Sequence, residues 1–269
     1  MMEAERKSRM KTGWLDSHCH IVDKAFENEE EDLIRRAEEA GVVQFLVMAT
    51  TIEEGYKALK LKEKHENVDI AVGLHPENAN DYTEEDLLKL RELLLSGQFS
   101  VLGEIGLDYY WVKDNKEKQK WLFERQIDLA NEFQLPISIH CRDAISDTYQ
   151  ILKEHPNQKA GVMHCYSSSV EMAYEFIKLG YFISLGGPVT FKNAVTPKEV
   201  AARVPLEWLL TETDSPYLTP VPFRGKRNEP MYVKYTAQTI CSLRNEEEEA
   251  FQKQILSNYY RMVNRDEAN

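Results

Sequence analysis

The chain has 269 residues, 42% hydrophobic and 29% charged, the balance of a soluble globular protein long enough for one large α/β barrel or two smaller domains. A net charge of −12 excludes the broad basic surface on which wrapping of duplex nucleic acid depends. No apolar run approaches the roughly 20 residues that span a membrane, and four cysteines without Cys-x-x-Cys spacing argue against a disulfide framework or a structural zinc knot.

Residues 1–13 are charged, lack the apolar stretch of a secretory signal, and read as a disordered extension of a single domain over 14–269; the cytoplasm is the expected compartment. From residue 14 onward, apolar runs and amphipathic segments alternate, the βα rhythm of a parallel sheet. The expected strands are 14–16, 44–49, 69–73, 101–104, 137–140, 161–164, 181–184 and 208–211. Helical patterns cover 29–40, 53–65, 84–95, 117–133, 143–153, 169–179 and 197–203, and two more, 231–243 and 246–262, close the chain. Gly41 is a C-terminal stop for the first helix, and Thr83 caps the third. Eight strands interleaved with helices, without a linker, a repeat or a Gly-x-Gly-x-x-Gly turn, predict a single-domain (β/α)8 TIM barrel over an open doubly wound sheet.

Catalytic residues of such a barrel stand at the C-terminal ends of its strands. The first strand runs into Asp16-Ser17-His18-Cys19-His20, where alternation puts His18 and His20 on one face, about 6–7 Å apart along the chain. Later ends carry His75, Glu104, His140 and His164, and the eighth gives Thr211-Glu212-Thr213-Asp214-Ser215-Pro216. Five of the seven histidines therefore sit where apolar strands stop; His65 and His155 lie at helix ends and read as solvated. Taken singly, each has a plain alternative: a core histidine bonded to a carbonyl, or an aspartate that caps a turn. Together, neutral nitrogen and anionic oxygen donors converging on one opening suit two divalent ions, with a carboxylate reaching both. Cys19, Cys141 and Cys165 each neighbour a proposed histidine ligand, and alternation turns them toward the helix layer.

These segments together resemble the TatD-type metal-dependent deoxyribonucleases, within the wider amidohydrolase-like barrels. The resemblance runs from Trp14 to about Tyr260 and also rests on Gly73-Leu74-His75-Pro76, the stretch from Gly103 to Tyr109, His140-Cys141-Arg142, His164-Cys165-Tyr166-Ser167 and the stretch from Arg224 to Pro230. It implies that His18 and His20 bind a first metal, that Glu104 bridges both, and that His140 and His164 bind the second. Asp214 would touch the first metal and accept a proton from the attacking water, while His75 would serve on the substrate side. Magnesium or manganese is the implied cofactor, whereas histidine-rich ligation admits zinc or nickel.

The expected activity is metal-dependent hydrolysis of phosphodiesters, a 3′-to-5′ exonuclease on single-stranded DNA or RNA ends. Hydrolysis of a carboxyl ester or amide, such as a lactone or an aminoacyl-tRNA ester, is the second reading, and a metal-stabilised binding protein the third. Nucleic-acid ends would be transient partners, with no membrane and a monomer favoured. Arg224, Lys226 and Arg227, in a Pro- and Gly-flanked loop, and Arg142 are candidate phosphate clamps; a solvated basic turn is the alternative for the loop. Tyr109, Tyr110, Trp111 and Tyr166 either stack a terminal base or pack the rim. Glu212, on the face of Asp214 but one layer deeper, is placed to orient a ligand or accept its proton, or else to form a buried salt bridge.

Overall fold

Each apolar run of the sequence becomes a buried parallel strand, because helices cover the outer face while side chains fill the interior. The computed structural model describes residues 12–264, so most of the proposed N-terminal extension lies outside the described residues. The strands are β1 (Trp14–Cys19), β2 (Val42–Ala49), β3 (Val68–Val72), β4 (Val101–Asp108), β5 (Ile137–Arg142), β6 (Gly161–Met163), β7 (Tyr181–Leu185) and β8 (Leu209–Thr211). They form one sheet in the order β1 to β8, every neighbouring pair parallel. The Thr211 hydroxyl donates to the Leu15 carbonyl (2.9 Å) and brings β8 back to β1, so the sheet is a nearly closed (β/α)8 TIM barrel.

The outer layer is α1 (Glu30–Glu39), α2 (Ile52–Lys62), α3 (Glu84–Leu94), α4 (Lys116–Glu132), α5 (Ile145–Glu154), α6 (Val170–Lys178) and α7 (Thr196–Arg203). Two closing helices follow, α8 (Val233–Arg244) and α9 (Glu248–Met262). Local chemistry sets their ends. Gly41 takes φ +91° and stops α1; the Asp86 carboxylate reaches back to the Thr83 backbone N–H (2.9 Å) at the start of α3. Trp208, expected to open β8, instead ends a short 3-10 turn whose N–H bonds the Pro205 carbonyl (3.0 Å).

Where β4 and β5 run side by side, their backbones approach so closely that a Cβ on Gly106 would meet the His140 carbonyl oxygen at 2.0 Å, and Gly106 adopts φ +141°. No other residue type fits there, and the contact fixes the height of His140 relative to Glu104. β1 and β4 both extend further than their apolar runs predict, to Cys19 and Asp108. Buried polar residues end these strands, tolerated because they satisfy one another.

Candidate metal centre

Asp16 fixes the geometry of the first half of the site. Its Oδ1 accepts the N–H groups of His18 (3.3 Å) and Thr213 (2.9 Å), and its Oδ2 accepts the Thr213 hydroxyl (2.6 Å). The segment after β8 is thereby stitched to β1, with Asp214 N–H bonded to the His18 carbonyl and His20 N–H to that of Ser215, both at 2.9 Å. Asp214 takes a left-handed φ of +56° and turns its carboxylate toward the two histidines. Burial pushes the Asp16 carboxyl up to about 8, against the pull of its Thr213 bonds.

The donor atoms then converge. His18 Nε2 lies 3.2 Å from His20 Nε2, 3.3 Å from Glu104 Oε2 and 3.8 Å from Asp214 Oδ1. His20 Nε2 lies 3.5 Å from Glu104 Oε2 and 3.3 Å from Asp214 Oδ1. A tetrahedral ion with ligand bonds of about 2.0–2.1 Å would separate its donors by about 3.3–3.4 Å. These separations, 3.2–3.8 Å, lie close to that spacing. Glu104 Oε1 faces the other way, 2.7 Å from His140 Nδ1 and 2.6 Å from His164 Nε2, with His75 Nε2 at 3.4 Å. One buried carboxylate thus joins two groups of nitrogen donors, and the residues present fit a pair of divalent cations.

Charge balance inside this cluster is internal. Burial alone would raise the Glu104 carboxyl, yet the rings of His164, His75 and His18 hold it well below its ordinary value. Asp214, also lifted by burial, is held down by its His20 bond and the neighbouring imidazoles. Burial and the charge of His164 depress His18, keeping its lone pair free. His140 stands at about 9: burial opposes protonation, but bonds to Asp108 and Glu104 outweigh it.

Asp108 had no role assigned from the sequence. Its Oδ2 accepts from His140 Nε2 (2.9 Å), which points Nδ1 at Glu104, as carboxylates behind metal-binding histidines do. His75 is oriented differently: its Nδ1 accepts the Glu77 N–H (3.3 Å), so the proton sits on Nε2, facing the site. Above these groups opens a cavity of about 830 Å³, whose wall includes His20, His75, Trp111, Arg142, Asp214 and Tyr217.

A model of the family described as TatD-related DNases matches residues 15–264, nearly the whole described chain. The chain belongs to the TatD family of metal-dependent hydrolases. It is 45% identical over 231 residues to the uncharacterised metal-dependent hydrolase YabD of Bacillus subtilis, covering 86% of this chain and 91% of that one. It is 38% identical over 258 residues to YcfH of Escherichia coli, another uncharacterised metal-dependent hydrolase, covering 94% and 96%. The crystal structure of the TatD homologue YjjV from Escherichia coli superposes with a TM-score of 0.88 at 33% identity, covering 94% of this chain and 98% of that one.

Within this TatD barrel the proposed site residues separate into two groups. His18, His20, His75, Glu104, His140, His164 and Asp214 come together, and Arg142 stands in the cavity wall. Arg227 does not join them. Its guanidinium forks onto Glu29 (2.6 and 2.9 Å) and bonds the Ala25 carbonyl (2.7 Å), so it braces the outside of the loop. Arg224 likewise lies over the Phe191 ring (4.3 Å) and outside the cavity wall. Glu212 is buried, accepting the Cys165 N–H (2.6 Å) with His164 Nδ1 at 3.6 Å; no lysine or arginine among the described residues pairs with it.

The cysteines divide as well. Cys19 Sγ faces the Leu46 carbonyl (3.5 Å), and Cys141 Sγ accepts from Thr148 on α5 (3.3 Å), both toward the outer layer. Cys165 departs from that expectation: β6 has ended at Met163, the strand alternation has lapsed, and with φ +42° Cys165 lines the cavity, where Cys141 also contributes to the wall despite its bond to Thr148. Burial pushes its thiol well above the ordinary range, so it stays protonated and a poor nucleophile.

Proposed function

We propose that this hydrolase cleaves phosphodiester bonds at the ends of single-stranded nucleic acid, as a 3′-to-5′ exonuclease on DNA or RNA. The observation that carries the reading is Glu104, whose two oxygens face different histidine groups, Oε2 toward His18 and His20 and Oε1 toward His140 and His164. A carboxylate so shared would suit a two-cation site of the kind that many phosphatases and nucleases use, with His18, His20 and Asp214 on one side and His140 and His164 on the other. When bound, such cations supply Lewis acidity toward phosphate oxygens and make water acidic enough to attack at neutral pH. The family resemblance favours magnesium or manganese for turnover, and the histidine-rich donor set favours zinc on affinity.

The remaining steps fall to side chains of this chain. Asp214, kept ionised by its His20 bond and the surrounding imidazoles despite burial, takes the proton of the attacking water. His75, with its proton on Nε2, donates to a phosphate or leaving-group oxygen. Arg142, in the cavity wall, offers a forked guanidinium to the phosphate of the next nucleotide. A net charge of −12 restricts binding to such local contacts, which fits brief handling of an end.

The test is a purified sample loaded in turn with magnesium, manganese or zinc, offered end-labelled oligonucleotides and, separately, a lactone and an aminoacyl ester. Release of mononucleotides from the 3′ end without ester turnover is the expected result. Ester turnover without nucleotide release overturns it. Asp214→Asn is expected to lower kcat by about 10²–10⁴-fold while retaining secondary structure and bound metal. Unchanged turnover in that variant removes Asp214 as the base.

A further inference from the structure

We propose that Trp111, braced by Arg142 and Tyr110, is a stacking platform for a nucleobase of the single-stranded substrate beside the scissile phosphate. The proposal rests on the phosphodiesterase reading above and adds to it a surface that recognises the base.

The aromatic residues that follow β4 and β6 divide cleanly. Tyr109 is 8% exposed and its hydroxyl donates to Asp147 on α5 (2.8 Å); Tyr166 is 5% exposed and donates to the Ser169 carbonyl (2.7 Å). Both are packing residues. Tyr110 and Trp111 are 42% and 62% exposed, and Trp111 lies in the wall of the same cavity as His75, His140 and Arg142.

An exposed tryptophan is unremarkable by itself, but this one is mounted. Asp108 Oδ1 accepts the backbone N–H groups of both Tyr110 (2.9 Å) and Trp111 (2.8 Å). Gln119 on α4 in turn grips the Asp108 N–H (2.7 Å), the Asp108 carbonyl (2.8 Å) and the Val112 carbonyl (3.2 Å). The Arg142 guanidinium lies over the Tyr110 ring (4.1 Å to its centre) and over that of Trp111 (5.3 Å), and Tyr110 meets Trp111 edge to face (4.8 Å between ring centres), so the exposed remainder of the indole is the surface a base can reach. The other oxygen of Asp108 holds His140 (2.9 Å). One carboxylate therefore ties the turn that carries the indole to a metal-site histidine.

An indole face beside a guanidinium matches a base attached to a phosphate. Base–aromatic stacking contributes about 1–3 kcal/mol per base and tolerates any base, as an end-directed nuclease requires. With a net charge of −12, affinity must come from local contacts, and a stack adds to those made with the phosphate.

The experiment compares full-length, metal-loaded wild type, Trp111→Ala and Trp111→Phe on two single-stranded oligonucleotides. One carries normal 3′-terminal nucleotides; the other is identical but abasic at those positions. Trp111→Ala is expected to raise KM for the base-bearing end by about 5- to 150-fold, with kcat within about twofold, and Trp111→Phe to restore most of it. On the abasic end, wild type and Trp111→Ala are expected to behave alike, with equal bound metal by elemental analysis. An unchanged KM on the base-bearing end overturns the platform and leaves the nuclease reading standing. An equal rise on both substrates, or lost metal in Trp111→Ala, assigns Trp111 a structural role instead and likewise overturns it. Wild type that cleaves neither oligonucleotide refutes the nuclease reading, and the platform with it.

Discussion

Asp108 bonds the ring of His140 and two successive backbone N–H groups of the turn that carries Trp111. Carboxylates behind metal-binding histidines set ring orientation and basicity, and losing one typically lowers metal affinity about 10–100-fold. Asp108→Ala is accordingly expected to weaken divalent-ion binding by about that factor, measured by competition with a chelator of known affinity. Retained affinity would mean that Glu104 alone orients His140 without help from Asp108. A signal for Asp108 was present in the chain: it follows Glu104 by two full strand repeats, so both face the same way if β4 continues that far. The continuation was hidden because the apolar run breaks at Glu104. Arg227 illustrates the opposite limit. Its partner Glu29 lies 198 positions earlier in the chain, and nothing local distinguishes an arginine that reaches a substrate from one claimed by a distant carboxylate.

Elements at the two ends of the barrel divide the work. Upper strand ends carry the donor atoms, whereas at the lower end Asp69 on β3 is buried among Gln44 on β2 (2.9 Å), Tyr259 on α9 (2.7 Å) and Lys62 on α2 (3.4 Å). This knot fastens the last helix over the bottom of the sheet, far along the strands from the cavity. Tyr259→Phe removes a hydroxyl from a buried carboxylate that keeps its other partners, a change worth about 1–3 kcal/mol of stability. For a domain of this size the melting temperature should fall by about 2–12 °C. Metal content and kcat should stay unchanged, because the knot lies at the end of the barrel opposite the donor atoms. A loss of turnover at permissive temperature would show that the ends are coupled. Strand and helix order was legible from hydrophobic alternation, and boundaries missed by a few residues where polar side chains prolong a strand, as in β1 and β4. Bottom-face polar residues gave no comparable signal, because Gln44 and Asp69 are spaced by topology and not by any local pattern.

At the scale of the whole molecule, the question is how a barrel keeps five histidines and the carboxylates of Glu104 and Asp214 in its mouth without their charges forcing it open. The arrangement answers by internal neutralisation. His164 is lifted well above its ordinary value: burial opposes protonation, but the close Glu104 carboxylate (2.6 Å) and the charge of Glu212 (3.6 Å) outweigh it. A cation needs the free lone pairs of these rings, so loading competes with protons and strengthens as pH rises. The apolar interior below, from Leu15 and Phe45 to Ile183 and Leu210, owes nothing to the ions. Chelation is thus expected to leave a cooperative, folded protein with a lower melting temperature. A ligand at about 1,000 times its Kd stabilises the native state by about 4 kcal/mol. In a domain of this size that corresponds to about 8–16 °C. Calorimetry with and without chelator, followed by return of manganese or zinc, measures the difference directly. No shift would mean that the clustered donors do not hold a cation in the native state. Complete unfolding on chelation would mean that the ions supply the stability here assigned to the core.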